Sequence, residues 1–134
     1  LFEVEMGATT TWERWDSILP NGEISGTDMN SLNHYAYGAI EDFIVEKLLG
    51  IQLPNVLDDK ETYLIQPNFT KRLEWVKGAL QTANGELSVS WRLTGDEVLV
   101  DVVLPGRTIA KYVFSNGDEI YLKQGHNKMK DVIV

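Results

Sequence analysis

ANGELSVSWRLTGDEVLVDVVLPG, residues 83–106, alternates apolar and polar side chains twice over. Leu87, Val89, Trp91 and Leu93 fall on one side of an extended chain, and Glu86, Ser88, Ser90 and Arg92 on the other. Val98, Val100, Val102 and Leu104 repeat the pattern, with Asp101 opposed. A period of two is the spacing of a half-buried strand. Asn84-Gly85 and Thr94-Gly95-Asp96 punctuate the runs, and Asn-Gly accepts the positive φ of a tight hairpin. The segment therefore reads as successive strands of an antiparallel sheet. Each inward Leu or Val stabilises such a sheet by roughly 1.5–3 kcal/mol on burial.

The same rhythm extends in both directions. Further strands are expected at Tyr63–Gln66, Arg72–Thr82, Thr108–Phe114, Asp118–Lys123 and Asp131–Val134. Pro105-Gly106, Asn116-Gly117 and Gln124-Gly125 supply the intervening turns. Short strands with turns about every ten residues predict an antiparallel β-sandwich. Trp91 lies in the inward row and reads as core, and Trp75, close to Leu73, is expected to be buried as well. No strand face gathers a cluster of aromatics, which weakens a reading of this part as a carbohydrate-binding module. His126 falls in an expected turn and reads as solvated.

Before residue 50 the period is different. Leu32, Ala36, Ala39 and Phe43 form one row at three-and-four spacing, and Tyr37, Ile40, Ile44 and Leu48 a second beside it. These rows predict a helix over Ser31–Leu49, with Glu41, Asp42 and Glu46 opposite. Asn30 or Ser31 can cap its start, Gly50 is placed to end it, and Pro54 follows. The apolar face is broad enough to expect cover on two sides. In an isolated piece that face predicts self-association into a homodimer through the 31–49 helix, or packing back onto the chain's own sandwich. The fold class is thus α+β, the tail of a helical domain followed by an antiparallel β-sandwich. Residues 1–50 form the first part, 51–61 the connection and 62–134 the sandwich.

Composition narrows the function. Of 134 residues, 43% are apolar and 24% charged, the balance of a globular protein. Twelve basic against 20 acidic residues give a net charge of −8, which opposes binding to nucleic acid or an anionic membrane surface. No cysteine is present, so disulfides, thiol nucleophiles and cysteine-bound metal are excluded. His34 and His126 are the only histidines, and no residue pattern asks for a metal or an organic cofactor. No apolar run approaches the ~20 residues of a membrane helix. The absence of cysteine fits a cytoplasmic location without excluding secretion. The chain opens at Leu1 rather than methionine, as an excerpt of a longer protein would.

The segment GATTTWERWD, residues 7–16, carries the densest chemistry. Trp12 and Trp15 flank Glu13 and Arg14, and Asp16 follows. Indole faces stack on the C–H faces of sugars, while carboxylates and arginine bind hydroxyls. A glutamate held in such a setting can take a proton from water. The plainer alternative makes Trp12 and Trp15 core residues, with Glu13 paired to Arg14 or Arg92. Both readings stand on composition alone.

GATTTWERWDSILPNG (residues 7–22) and MNSLNHYAYGAIEDFI (residues 29–44) together resemble the end of the catalytic domain of bacterial α-L-rhamnosidases, glycoside hydrolase family 78. Members of that family read GATT-x-WERWD, followed some twenty residues later by an S-[FL]-N-H-Y-A-[YL]-G segment. Ile65-Gln66-Pro67, the run from Asn84 to Trp91, and Val103-Leu104-Pro105 resemble, more loosely, the family's small C-terminal β-sandwich. The resemblance covers essentially the whole chain. It implies that residues 1–50 end an (α/α)6 barrel, the 31–49 helix being its last. It also implies an inverting hydrolase that releases terminal α-L-rhamnose from rhamnosides.

Carried over position by position, the resemblance makes Glu13 the general base and His34 a contact of the bound rhamnose. Trp12 and Trp15 would line or support the sugar subsite, while Arg14 and Asp16 would fix the loop. Asn33 fits either a helix start or a hydroxyl ligand. Inversion needs two carboxyls about 6.5–9.5 Å apart, one protonating the leaving oxygen and one activating water. The family's acid lies far upstream of these motifs, and Asp16 is too near Glu13 to serve from the opposite side. The chain alone is therefore expected to be inactive. The remaining alternative is a non-catalytic module, either carbohydrate-binding or a structural β-sandwich.

Overall fold

The structure, a computed structural model, describes residues 2–54 and 62–133. Most of the connection expected over 51–61 lies outside the described residues. The chain divides into two compact units, Leu1–Ile40 and Glu41–Val134.

The first unit opens with a short helix, α1 (Phe2–Glu5), and continues mainly as loops. Ile18 and Ile24 form an isolated antiparallel bridge. It is closed by a turn in which Gly22, at φ +83°, donates to the Leu19 carbonyl at 2.8 Å. A 3-10 turn over Tyr35–Gly38 ends the unit, and α2 (Ala39–Phe43) and a π-helical turn (Ile44–Leu48) carry the helical path on.

The helix thus starts at Tyr35, not at Ser31, and the reason lies in residues 30–34. Their backbone is committed elsewhere. Ser31 O accepts from Glu13 N at 2.8 Å, His34 N donates to Thr11 O at 2.8 Å, and the Thr10 hydroxyl donates to Leu32 O. Groups bound across to another segment cannot enter a helical ladder. His34, in extended conformation, takes the N-cap position without a side-chain cap bond. At the other end the expectation holds. Leu48 is the last helical residue and Leu49 its C-cap, and Gly50 follows at φ +72°, the left-handed conformation that terminates helices. Tyr37, Ile40, Phe43 and Ile44 remain exposed along the helical path.

The second unit is built of two four-stranded sheets. One has the order β1 (Ile51–Gln52), β2 (Thr62–Ile65), β6 (Ile109–Val113), β7 (Glu119–Tyr121). The other runs β3 (Trp75–Thr82), β4 (Gly85–Thr94), β5 (Glu97–Leu104), β8 (Gly125–Val132). β3 to β5 form a meander with two-residue loops, Thr82 opposing Gly85 and Thr94 opposing Glu97. The pairs are antiparallel except β2 with β6, where Thr62 lies beside Ile109 in parallel register.

The alternation read from residues 87–104 sets the core. Leu87, Val89, Trp91, Val98, Val100, Val102 and Leu104 are buried, and they meet Ile51, Ile65, Ala110 and Tyr112 of the other sheet. Leu49 joins the same cluster. Trp91 stacks edge-on against Phe69 at 5.5 Å and donates its indole N–H to Leu48 O at 2.8 Å. Gly78 of β3 faces Leu49 so closely that a Cβ there would stand 2.5 Å from Leu49 Cδ1. Buried Asp131 of β8 accepts the Tyr112 hydroxyl of β6 at 2.8 Å and the Ser115 N–H at 3.1 Å, joining the two sheets.

Two expectations need correction. Trp75 is not buried: it is 57% exposed, because the alternation along β3 turns Val76, Gly78 and Leu80 inward and leaves Trp75 and Lys77 outside. Proximity to Leu73 misled where parity decides. The last strand begins at Gly125 rather than Asp131, so His126 is a strand residue opposite Val103, not a turn residue. It is solvated, as expected, and its Nδ1 sits 3.2 Å from Asp101 Oδ2.

Candidate functional site

Within the first unit, the segments 10–17 and 30–37 are laced together. Glu13 is the centre of the lacing. Its backbone N–H donates to Ser31 O at 2.8 Å, and its carboxylate Oε2 accepts the Ser31 N–H at 2.7 Å. The Tyr37 hydroxyl donates to the Glu13 carbonyl at 3.0 Å. Asn30 closes the other side, its amide donating to Ser17 O and Ser25 O. Buried Ser17 accepts the Arg14 N–H on its hydroxyl.

The consequence for Glu13 is orientation. One carboxylate oxygen is fixed by a backbone donor, a charge-assisted bond about twice as strong as a neutral one. The other, Oε1, accepts no hydrogen bond among the described residues, which leaves it available to a ligand or water. The side chain is 15% exposed, shielded but reachable. His34 Nδ1 lies 3.8 Å from Glu13 Oε2, and its ring packs against Tyr37 at 5.4 Å.

A groove of about 220 Å3 opens beside this carboxylate, lined by Glu3, Thr11, Trp12, Glu13, Trp15 and Tyr37 among others. Trp12 is 4% exposed and forms a wall, whereas Trp15 is 75% exposed and presents an indole face. Arg14 turns to Asp16, Nε to Oδ1 at 3.1 Å, rather than to Glu13. Asn33 donates its backbone N–H to the Ser31 hydroxyl. Among the described residues no three His, Asp or Glu side chains converge to hold a metal ion.

Sequence reasoning named Trp12, Glu13, Trp15 and His34, and the structure brings all four into one neighbourhood. It did not find Tyr37 as a partner of Glu13, since helical spacing assigns Tyr37 to an apolar row. Nor did it find the Ser31 N–H, because a backbone donor has no side-chain signature.

Residues 1–48 match the family described as the bacterial α-L-rhamnosidase six-hairpin glycosidase domain, and residues 61–129 the bacterial α-L-rhamnosidase C-terminal domain. An α-L-rhamnosidase of Alteromonas sp. (strain LOR) is 39% identical over 114 residues, covering 84% of this chain and 12% of that protein. One of Formosa agariphila is 34% identical over 110 residues, covering 82% and 12%. The chain therefore spans 12% of the length of these curated relatives. Among solved structures, the native α-L-rhamnosidase of Aspergillus terreus matches with a TM-score of 0.70 and 30% identity, over 97% of this chain and 15% of that one. The Streptomyces avermitilis α-L-rhamnosidase complexed with L-rhamnose shares the fold, with a TM-score of 0.59 and 24% identity over 98% of this chain and 14% of that one.

Proposed function

The chain belongs to the bacterial α-L-rhamnosidases, and from that premise we propose that it forms part of an inverting hydrolase in which Glu13 is the general base. The observation that carries this reading is the divided duty of the Glu13 carboxylate. Oε2 is tied to the Ser31 N–H, while Oε1 accepts no hydrogen bond among the described residues, on a carboxylate that lines a groove walled by tryptophans. A base must be held still and yet have a lone pair facing water.

In this mechanism an α-L-rhamnosyl unit lies against Trp15, with Trp12 as the rigid backing. Glu13 Oε1 removes a proton from a water on the face opposite the glycosidic bond. The water oxygen attacks the anomeric carbon, the bond to the leaving oxygen breaks, and a general acid outside this chain protonates that oxygen. β-L-Rhamnose departs with inverted configuration. His34 hydrogen-bonds ring hydroxyls from beside the base. Asp16 is bound to Arg14, which suits loop support and not proton donation. The isolated chain, lacking the acid, is inactive.

The test compares hydrolysis of a chromogenic α-L-rhamnoside by the complete enzyme and its Glu13→Gln variant. Loss of a general base lowers kcat by about 10²–10⁴-fold. A folded variant as fast as the wild type would remove Glu13 from the chemistry. So would turnover by residues 1–134 alone that survives Glu13→Gln.

A further inference from the structure

The outer face of the sheet β3-β4-β5-β8 holds a second groove, of about 650 Å3, formed within the second unit alone. Strand register arranges its wall in rungs. Trp75, Arg92, Leu99 and Lys130 lie side by side across the four strands, and Lys77, Ser90, Asp101 and Lys128 form the next rung. Three strand spacings give a platform about 14 Å across.

Its charge is opposite to that of the chain. The protein carries −8 overall, yet four of its 12 basic residues line this groove against a single carboxylate, Asp101. Lys130 is paired with Glu97 at 2.9 Å. Lys77, Arg92 and Lys128 make no ion pair among the described residues. Lys77 lies diagonally from Arg92 across β3 and β4, and Lys128 and Lys130 stand two residues apart on β8, so positive charge gathers on this face. Trp75, 57% exposed, sits at the end of the first rung, in register with Arg92.

The other sheet differs in kind. There the cation is already engaged: Lys111 of β6 pairs with Glu119 of β7 at 2.8 Å and lies 5.1 Å from the Tyr121 ring centre. The β3-β4-β5-β8 face joins an aromatic plane to unpaired cations, a composition suited to a charged sugar chain.

We propose that this groove binds a carboxylate-bearing oligosaccharide, a chain containing uronic acid units, separately from the rhamnoside site. The C–H face of one ring stacks on Trp75. The planar fork of Arg92 takes a carboxylate in two parallel hydrogen bonds, a geometry lysine does not offer. Lys77 and Lys128, at the two ends of the next rung, are placed to take a second carboxylate. Asp101, held beside His126, accepts from a ring hydroxyl.

Calorimetric titration of the 134-residue chain with tetragalacturonate tests this. Saturable binding is expected, weakened by added salt and at least about tenfold weaker for the fully methyl-esterified tetrasaccharide. Trp75→Ala and Arg92→Gln should each weaken it at least about tenfold with an unchanged melting temperature. Lys71→Gln, which removes a charge away from this groove, should leave it within twofold. Absence of saturable binding overturns the proposal. So does equal weakening by Lys71→Gln and Arg92→Gln, which marks a diffuse charge effect. Tighter binding of hexaglutamate than of tetragalacturonate also overturns it, since the face would then serve an acidic peptide.

Discussion

The indole N–H of Trp91 donates to the carbonyl oxygen of Leu48 at 2.8 Å, so the end of the helical path is bound to the centre of the sandwich core. Leu48 O is among the last carbonyls of that path, which have no intrahelical partner. Trp91→Phe keeps much of the buried area and removes the donor. We expect it to lower stability by about 1–3 kcal/mol, the penalty for an unpaired buried polar group, read as a shift of the urea midpoint with unchanged slope.

Gly50 and Gly78 occupy the two tightest backbone positions of the second unit. At Gly50 a Cβ would stand 2.1 Å from Pro67 N, and φ is +72°. Backbone cannot retreat as a side chain can, so Gly50→Ala should destabilise by well above the ~1 kcal/mol of an ordinary left-handed glycine. At Gly78 the obstacle is the Leu49 side chain, and Gly78→Ala should cost about 1–3 kcal/mol as an overpacked core does. Thermal melts of the two variants should fall in that order; the reverse order would mean that the Gln66–Pro67 backbone moves aside.

Tyr112 titrates far above its ordinary value of 10.0, first through burial and then through its bond to, and the charge of, Asp131. Unfolded, it loses its proton as pH passes about 10, whereas folded it keeps it. The native state then binds more protons, so stability is flat in this group below pH 10 and falls above it, by up to ~1.36 kcal/mol per pH unit. Tyr112→Phe should be less stable at neutral pH by about 1–3 kcal/mol, because Asp131 loses a donor, and should show a shallower alkaline decline. Denaturant midpoints taken from pH 8 upward measure both effects. Parallel declines in the two proteins would exclude Tyr112 as the cause.

At the candidate site, the Ser31 N–H holds Glu13 Oε2. Ser31→Ala retains that donor and should keep activity in the complete enzyme within a few-fold. Ser31→Pro removes it, and with it a bond to a charged group worth about 1.5–3 kcal/mol, so kcat should drop about tenfold to a hundredfold. Equal kinetics in the two variants, with unchanged near-ultraviolet circular dichroism, would show that the carboxylate needs no anchor.

The parts of the fold that repeat a period were legible. Parity along residues 87–104 identified the inward row, including Trp91, because each side chain of a strand has only two choices. The helix end was legible from Gly50, since few residues accept its φ. What escaped were features made by backbone and by distant pairing. Residues 31–34 look helical by spacing, but Ser31, Leu32 and His34 spend backbone groups on Glu13, Thr10 and Thr11. Trp75 was placed by its neighbour in sequence rather than by its parity with Val76. The candidate residues Trp12, Glu13, Trp15 and His34 were named from a motif; the Tyr37 and Ser31 contacts to Glu13 needed coordinates.

The parallel pairing of β2 with β6 also orders events in time. The meander β3-β4-β5 closes through two-residue loops, whereas Thr62 finds Ile109 only after all three of those strands have been made. Closing a long loop costs entropy before any contact repays it, so the meander collapses early and β2 docks late. On a ribosome the delay is longer. A nascent chain that has emerged only as far as Leu104 holds β2 with β1 on one side and no β6 on the other, so one edge of β2 has no strand to pair with until Ile109–Val113 follows.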